Sequence, residues 1–237
     1  MVQKQDHLQL LGRKIAQSLK RFYRKWELCE STNPKKISDI EEAMKGADVL
    51  ISLSTPGPDT VKQSWVRLMN SKSIVFACAN PVPEIYPYAA KEAGAYIIAT
   101  GRGDFPNQVN NSIGFPGILK GALMVRSRKI TDNMAIKAAH SLADFAERRG
   151  INRENIVPNM EEAGVFPEEA ADVAVQAIAD GVARIKLTRE EAYKTAKTDI
   201  EYARSMSKLL LDNDYIKQPP MKMLEDAVEW AIKQVQK

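Results

Sequence analysis

Four asparagines carry the chemistry that this chain offers most plainly: Asn80, Asn107, Asn110 and Asn111. An amide side chain donates and accepts hydrogen bonds without carrying charge, so it can hold a carboxylate, a carbonyl or a hydroxyl in one orientation. Each such bond to a charged ligand group contributes about 1.5–3 kcal/mol. That is enough to orient a substrate. It does not drive a reaction, because an amide has no basic lone pair with which to take a proton. Asn80 precedes Pro81, and an asparagine before a proline commonly just closes a turn. Residue type alone therefore leaves two readings open: turn chemistry, or a ligand site.

The elements around these residues favour a site. Three continuous apolar runs, 49–54, 74–79 and 95–100, read as strands covered on both faces. Helical patterns precede them. In 37–48, Ile37, Ile40 and Met44 share a face, with Ser38 as the expected N-cap and Gly46 as the stop. In 59–70, Val61, Trp65, Leu68 and Met69 come together, and 83–95 closes on Gly94. Helices alternating with buried strands imply a parallel sheet with crossover helices. Ligands of such sheets bind beyond the carboxyl ends of the strands. There the chain places Ser54-Thr55-Pro56-Gly57, then Asn80-Pro81, then Gly101 to Asn107, each rich in small, stiff or amide residues.

Past residue 107 strand signals stop. Helices are expected over 113–125, 134–148, 167–183, 189–211 and 221–235, with Pro167 opening the third and Gly150 and Gly181 as stops. A helix starting near Pro106 or Asn107 would put Asn110 and Asn111 in its first turn. Free N–H groups and the positive dipole end favour an anion there. Ile113 and Phe115 are expected to anchor that turn in the core. The fold class is thus α/β, a parallel sheet with flanking helices over residues 1–106 and a helical region over 107–237.

Composition excludes several classes. The 237 residues carry 34 basic and 30 acidic side chains, a net +4, too mild a balance to argue for nucleic acid. No apolar run reaches a membrane-spanning length, and the first residues lack the apolar core of a secretion signal. The two cysteines, Cys29 and Cys78, have no metal or redox spacing and fit a reducing cytoplasm. Cys78 is expected as a buried, inert thiol. Glu161-Glu162 and Glu168-Glu169 read as acids on solvated faces, and His7 and His140 are isolated. Residues 13–36 hold eight Lys or Arg mixed with Glu27 and Glu30, a solvated helix face.

The stretches ADVLISLSTPGP, VFACANPVPEI and IIATGRGDFPNQVNNSIGFPGILKGAL, with EEAMKGADVLI and ADGVAR beside them, resemble the NAD-binding domain of malic enzymes. The resemblance runs from about Phe22 to about Arg184 and is most specific over 74–123. One departure is Gly103, where the family has serine. The resemblance implies a Rossmann-like sheet and oxidation of L-malate by NAD or NADP, with decarboxylation to pyruvate assisted by Mg²⁺ or Mn²⁺. By the same resemblance, Asn80, Asn110 and Asn111 contact malate, and Asn80 and Asn110 also meet the nicotinamide end of the cofactor. Ser54, Thr55, Pro56 and Gly57 would lie along its adenosine half.

Three parts of that chemistry are not found in the sequence. No G-x-G-x-x-G follows a strand. The catalytic tyrosine and lysine and the acidic metal ligands lie upstream in the family. Here residues 1–21 instead place Leu8, Leu11, Ile15 and Leu19 on one face of an amphipathic helix. No catalytic residue and no metal ligand is therefore assigned to this chain. It reads as an incomplete Rossmann-like domain, a fragment whose expected partners are malate or pyruvate, a complementary N-terminal malic enzyme domain or subunit, and copies of itself. The competing reading is a non-catalytic dinucleotide-binding or assembly module, or a truncated frame.

Overall fold

The computed structural model describes residues 27–28 and 31–235. The basic segment before residue 27 and the expected helix over 1–21 lie outside these residues. Three strands form one parallel sheet in the order β1-β2-β3: β1 Val49–Ser52, β2 Ile74–Ala77 and β3 Ile97–Thr100. The register pairs Ile51 with Phe76 and Phe76 with Ala99. Helix α1, Ile40–Met44, precedes β1; α2, Gln63–Val66, and α3, Pro87–Glu92, make the crossovers. Asp39 caps α1, its carboxylate accepting from the Glu41 amide at 3.0 Å, one residue later than the serine expected from sequence. Asp and Ser serve an N-cap about equally, so register within a run of polar residues is weakly encoded.

Leu50, Met69 and Ile98 pack with Val61, Val66, Val75, Ala77, Ile85 and Ala90 into one core cluster. Val75 and Ala77 belong to one face of the sheet. The other face differs from expectation at β1. Val49 is 51% exposed and Ile51 62% exposed, so this strand is covered on one side among the described residues. Its continuous apolar run correctly marks a parallel strand but not what covers it.

The second core belongs to helices α4 Asn111–Met124, α5 Asp132–Arg149, α6 Val165–Ala179 and α7 Arg189–Asp212. Their contact uses small residues, with Ala122, Ala138, Ala171, Ala174, Ala177 and Ala192 buried together around Val125, Met134 and Val173. Small side chains bring helix axes close, and α6 is the hub of the packing. It begins at Val165, so Pro167 sits in its first turn rather than opening it. Thr188 and Glu191 form a reciprocal capping box on α7, with Glu191 N–H donating to the Thr188 hydroxyl at 3.2 Å and Thr188 N–H to the Glu191 carboxylate at 2.8 Å. The final helix, α8 Met221–Val235, matches the sequence expectation at both ends and is exposed along its described length.

Gly121 shows how tight the α4–α6 contact is. A Cβ there would lie 2.5 Å from the Ala170 carbonyl oxygen and 2.8 Å from Val173 Cβ, both rigid neighbours. Gly121→Ala is expected to destabilise the chain by about 1–3 kcal/mol, the usual range for forcing a methyl into a packed core. In a thermal scan this lowers the midpoint by several degrees; an unchanged midpoint would show that the helices can separate without cost.

Candidate functional site

The carboxyl ends of all three strands are tied together by side chains. Glu84, fully buried at 0% exposure, lies between the first two. One carboxylate oxygen accepts from the Ser52 hydroxyl at 2.8 Å, the Ser54 amide at 2.7 Å and the Ser54 hydroxyl at 3.1 Å. The other accepts from the Ala79 amide at 3.0 Å. Burial pushes this carboxyl up, but the Ser54 and Ala79 amides and the Ser52 hydroxyl outweigh it, and the group is held below the ordinary carboxylate range. The same burial, with the Glu84 charge nearby, raises the half-buried Cys78 thiol. Cys78, expected to be buried, is only half-buried.

From Ala79 the chain passes through a cis Asn80–Pro81 peptide to the next loop. Arg102 joins the second and third loops, donating to the Pro81 carbonyl at 3.1 Å and gripping Asp104 through two bonds of 2.7 and 2.6 Å. Gly101 packs closely: a Cβ there would meet the Cys78 carbonyl oxygen at 3.2 Å and the Asn80 amide nitrogen at 3.6 Å. Asn110 then closes the chain of contacts. Its amide donates to the Gly101 carbonyl at 2.5 Å, and its oxygen accepts from Ser112 N–H at 2.9 Å as the N-cap of α4.

The structure thus places the residues named from sequence along one edge, in distinct circumstances. Asn110 spends one donor and its acceptor on the fold and keeps one N–H. Asn80 is exposed, Asn111 opens α4 on its exposed side, and neither amide has a protein partner among the described residues. In the first loop, Ser54 is held by Glu84. Thr55 and Pro56 are exposed, and Gly57 turns the chain at φ 145°. Asn107 is wholly structural. At φ 55°, a conformation asparagine tolerates, its amide donates to the Ile98 carbonyl at 2.9 Å and the Arg153 carbonyl at 2.7 Å. Its oxygen accepts from Ile156 N–H at 2.8 Å.

Two expectations are corrected next to this edge. Phe115 is 54% exposed and does not anchor the first turn of α4; Ile113, buried, does so alone. Glu169 is no solvated acid. It is fully buried, and its carboxyl oxygens lie against the α4 backbone, where a Cβ on Gly117 would come 2.1 Å from one of them. Neither oxygen has a hydrogen-bond partner. Burial pushes this carboxyl up to about 8; the Gly117 amide, near it but without hydrogen-bond geometry, opposes this less. Two sequence signals mark the position: Glu169 falls on the apolar period of Phe166, Ala170 and Val173, and Gly114, Gly117 and Gly121 recur on one face of the facing helix. An acid on an apolar stripe opposite a glycine stripe is a buried acid.

Among the described residues no three His, Cys, Asp or Glu side chains come together as a metal site. The described part of the chain therefore does not by itself fit a divalent cation. The Asn80 and Asn111 amides at the strand ends retain donors and acceptors not used by the fold.

Comparison with known proteins identifies the family of this fold. The family model described as malic enzyme, NAD binding domain, matches residues 1–180. The chain belongs to the malic enzyme NAD-binding domain family. A bifunctional malic/malolactic enzyme of Bacillus subtilis is 41% identical over 176 residues, covering 73% of this chain and 42% of the relative. An NAD-dependent malic enzyme of Geobacillus stearothermophilus is 39% identical over 70% of this chain and 33% of its own length. The crystal structure of the Entamoeba histolytica malic enzyme superposes with a TM-score of 0.92 at 62% identity, covering 95% of this chain and 47% of that one. This chain spans less than half the length of these malic enzymes.

Two of the buried acids, Glu84 and Glu169, give opposite pH signatures. Glu84 has a lowered folded value, so its stabilisation is present above the ordinary carboxylate value and is lost as pH falls through the folded one. Glu84→Gln is expected to destabilise the chain at neutral pH and to remove part of its acid sensitivity, read from urea midpoints. Glu169 has a raised folded value, so its contribution is fully present below about 4.5 and is lost as pH rises through about 8. Across that window each pH unit costs about 1.4 kcal/mol. Glu169→Gln keeps the shape and cannot ionise; the decline of the urea midpoint from about pH 5 to about pH 8 should flatten. An unchanged slope would show that Glu169 is ionised when folded.

Proposed function

We propose that this chain is the strand-end half of a malic enzyme site, in which L-malate is oxidised with NAD(P) and decarboxylated to pyruvate. The observation that carries this reading is the pair of open amides, Asn80 and Asn111, beside the N-cap Asn110, on an edge built from the family's most specific stretch. Asn111 stands at the positive end of a fourteen-residue helix, where a substrate carboxylate is favoured. The Asn80 amide is suited to a hydroxyl or a carboxamide. Asn110 would direct its remaining N–H at the same ligand. Thr55 to Gly57 would follow the adenosine half of the cofactor, which supplies the hydride acceptor when bound. Relatives named as NAD-dependent and as NADP-dependent both match the chain, and NAD is the cofactor proposed here.

The remainder of the site is proposed to come from a complementary N-terminal malic enzyme region, which would bring the Gly-rich phosphate loop, the acid–base pair and the ligands for Mg²⁺ or Mn²⁺. The exposed Val49 and Ile51 on β1 support a covering partner on that side of the sheet. The exposed Met221, Met223, Leu224, Val228 and Trp230 on α8 support self-association. A cytoplasmic location accords with the chain's thiol usage; no helix among the described residues is long and apolar enough to cross a membrane.

The direct test is co-expression with an N-terminal malic enzyme region that carries the Gly-rich loop. The co-purified pair should reduce NAD in the presence of malate and Mn²⁺. Asn80→Ala and Asn111→Ala should each lower kcat/KM by about tenfold or more, the loss of one charge-assisted hydrogen bond. A pair that co-purifies but gives no malate-dependent reduction with either NAD or NADP would sink the proposal. Tight NAD binding by the isolated chain without that pair's activity would favour a non-catalytic dinucleotide-binding module.

A further inference from the structure

A cavity lies beside the outer strand, sharing only the third strand-end loop, through Phe105 and Pro106, with the edge described above. It occupies about 240 Å³ between α3 and the outer edge of β3, and none of Ser54 to Gly57, Asn80, Asn110 or Asn111 lines it. Its walls are largely aromatic and apolar: Tyr88 from α3, Tyr96 and Ile98 from the third strand segment, and Phe105 from the following loop. Walls of this type favour a flat apolar body. The volume suits a single ring with a small substituent and is too small for a dinucleotide.

The charges at the rim set the second requirement. Lys91, Glu154 and Arg153 line the cavity. Lys91 and Glu154 neutralise each other at 2.6 Å. Arg153 has no carboxylate partner among the described residues; its guanidinium lies 3.7 Å from the centre of the Tyr96 ring. A stacked guanidinium keeps its edge donors available, in the planar fork that matches a carboxylate. A neutral occupant would strip water from this cation without replacing the lost bonds.

The loop that presents Arg153 is fixed before any ligand arrives. Asn107 holds the Arg153 carbonyl and the Ile156 amide at 2.7 and 2.8 Å, and Glu154 N–H donates to the Asn152 side chain at 3.0 Å. Such preorganisation removes an ordering cost from binding. We infer that this cavity is a binding site for a small aromatic carboxylate, with its ring between Tyr88, Tyr96 and Phe105 and its carboxylate on Arg153. Asn107 connects this site to the substrate edge, because its own carbonyl accepts from Thr100 N–H two residues before Val109 N–H donates back to Thr100.

The test is a titration of the whole chain with 4-fluorobenzoate followed by ¹⁹F NMR. Saturable binding is expected. Arg153→Gln, an exposed position, should weaken it by about tenfold or more while leaving the thermal midpoint unchanged. Tyr96→Ala should weaken it as well, and the neutral 4-fluorobenzamide should bind the unaltered chain about tenfold more weakly. The inference is overturned by any of three results: no saturable binding, equal binding of the amide and the acid, or full retention in Arg153→Gln. Displacement of the probe by inorganic phosphate at equal concentration would also overturn it, because the ring would then contribute nothing.

Discussion

A buried carboxylate with four hydrogen bonds organises the ligand-facing edge of this chain. Parallel strands bond to one another along their length, but nothing in the sheet ladder fixes the loops that leave their ends. Glu84 supplies that missing connection between the first two strands, and Arg102 and Asn110 extend it to the third. The cost of burying the charge is offset because it takes up the Ser54 and Ala79 amides, which have no other partner at the strand ends. Without Glu84 the Ser54 and Ala79 amides lose their partner, and the first loop is no longer held against the second.

The other half of the edge is positioned by helix packing. Asn110 and Asn111 move with α4, and α4 is set by its glycine face against α6. Gly121 removes a side chain that would meet the α6 backbone, and Gly117 makes room for the Glu169 side chain. Glu169 fills the space left at Gly117 and remains protonated because no donor compensates its charge. Hydrogen bonds thus fix one side of the site, and close packing fixes the other.

The sequence made much of this legible. All three strands are marked by apolar runs, and the long helices α5, α7 and α8 fall close to the ranges expected from their pattern. Gly46, Gly94, Gly150 and Gly181 do carry positive φ where stops were expected. What escaped is what depends on neighbours distant in sequence. Asp39 rather than Ser38 caps α1 because adjacent polar residues compete almost equally. Ile51 and Phe115 are exposed because apolar type states a preference for burial, not a partner. Asn107 looked like a ligand amide until its three contacts, two of them with residues nearly fifty positions away, accounted for it. The malic enzyme resemblance located the edge, but only the geometry separates the amides spent on the fold from those left open.

The contact between Gly117 and Glu169 also orders how this sequence can change. A side chain at position 117 requires the Glu169 side chain to move, because its Cβ would overlap a carboxyl oxygen. A shorter residue at 169 meets no such bar, since it only leaves space behind. The two positions therefore form one volume: what is added at 117 has to be taken from 169, and neither residue can be chosen without the other.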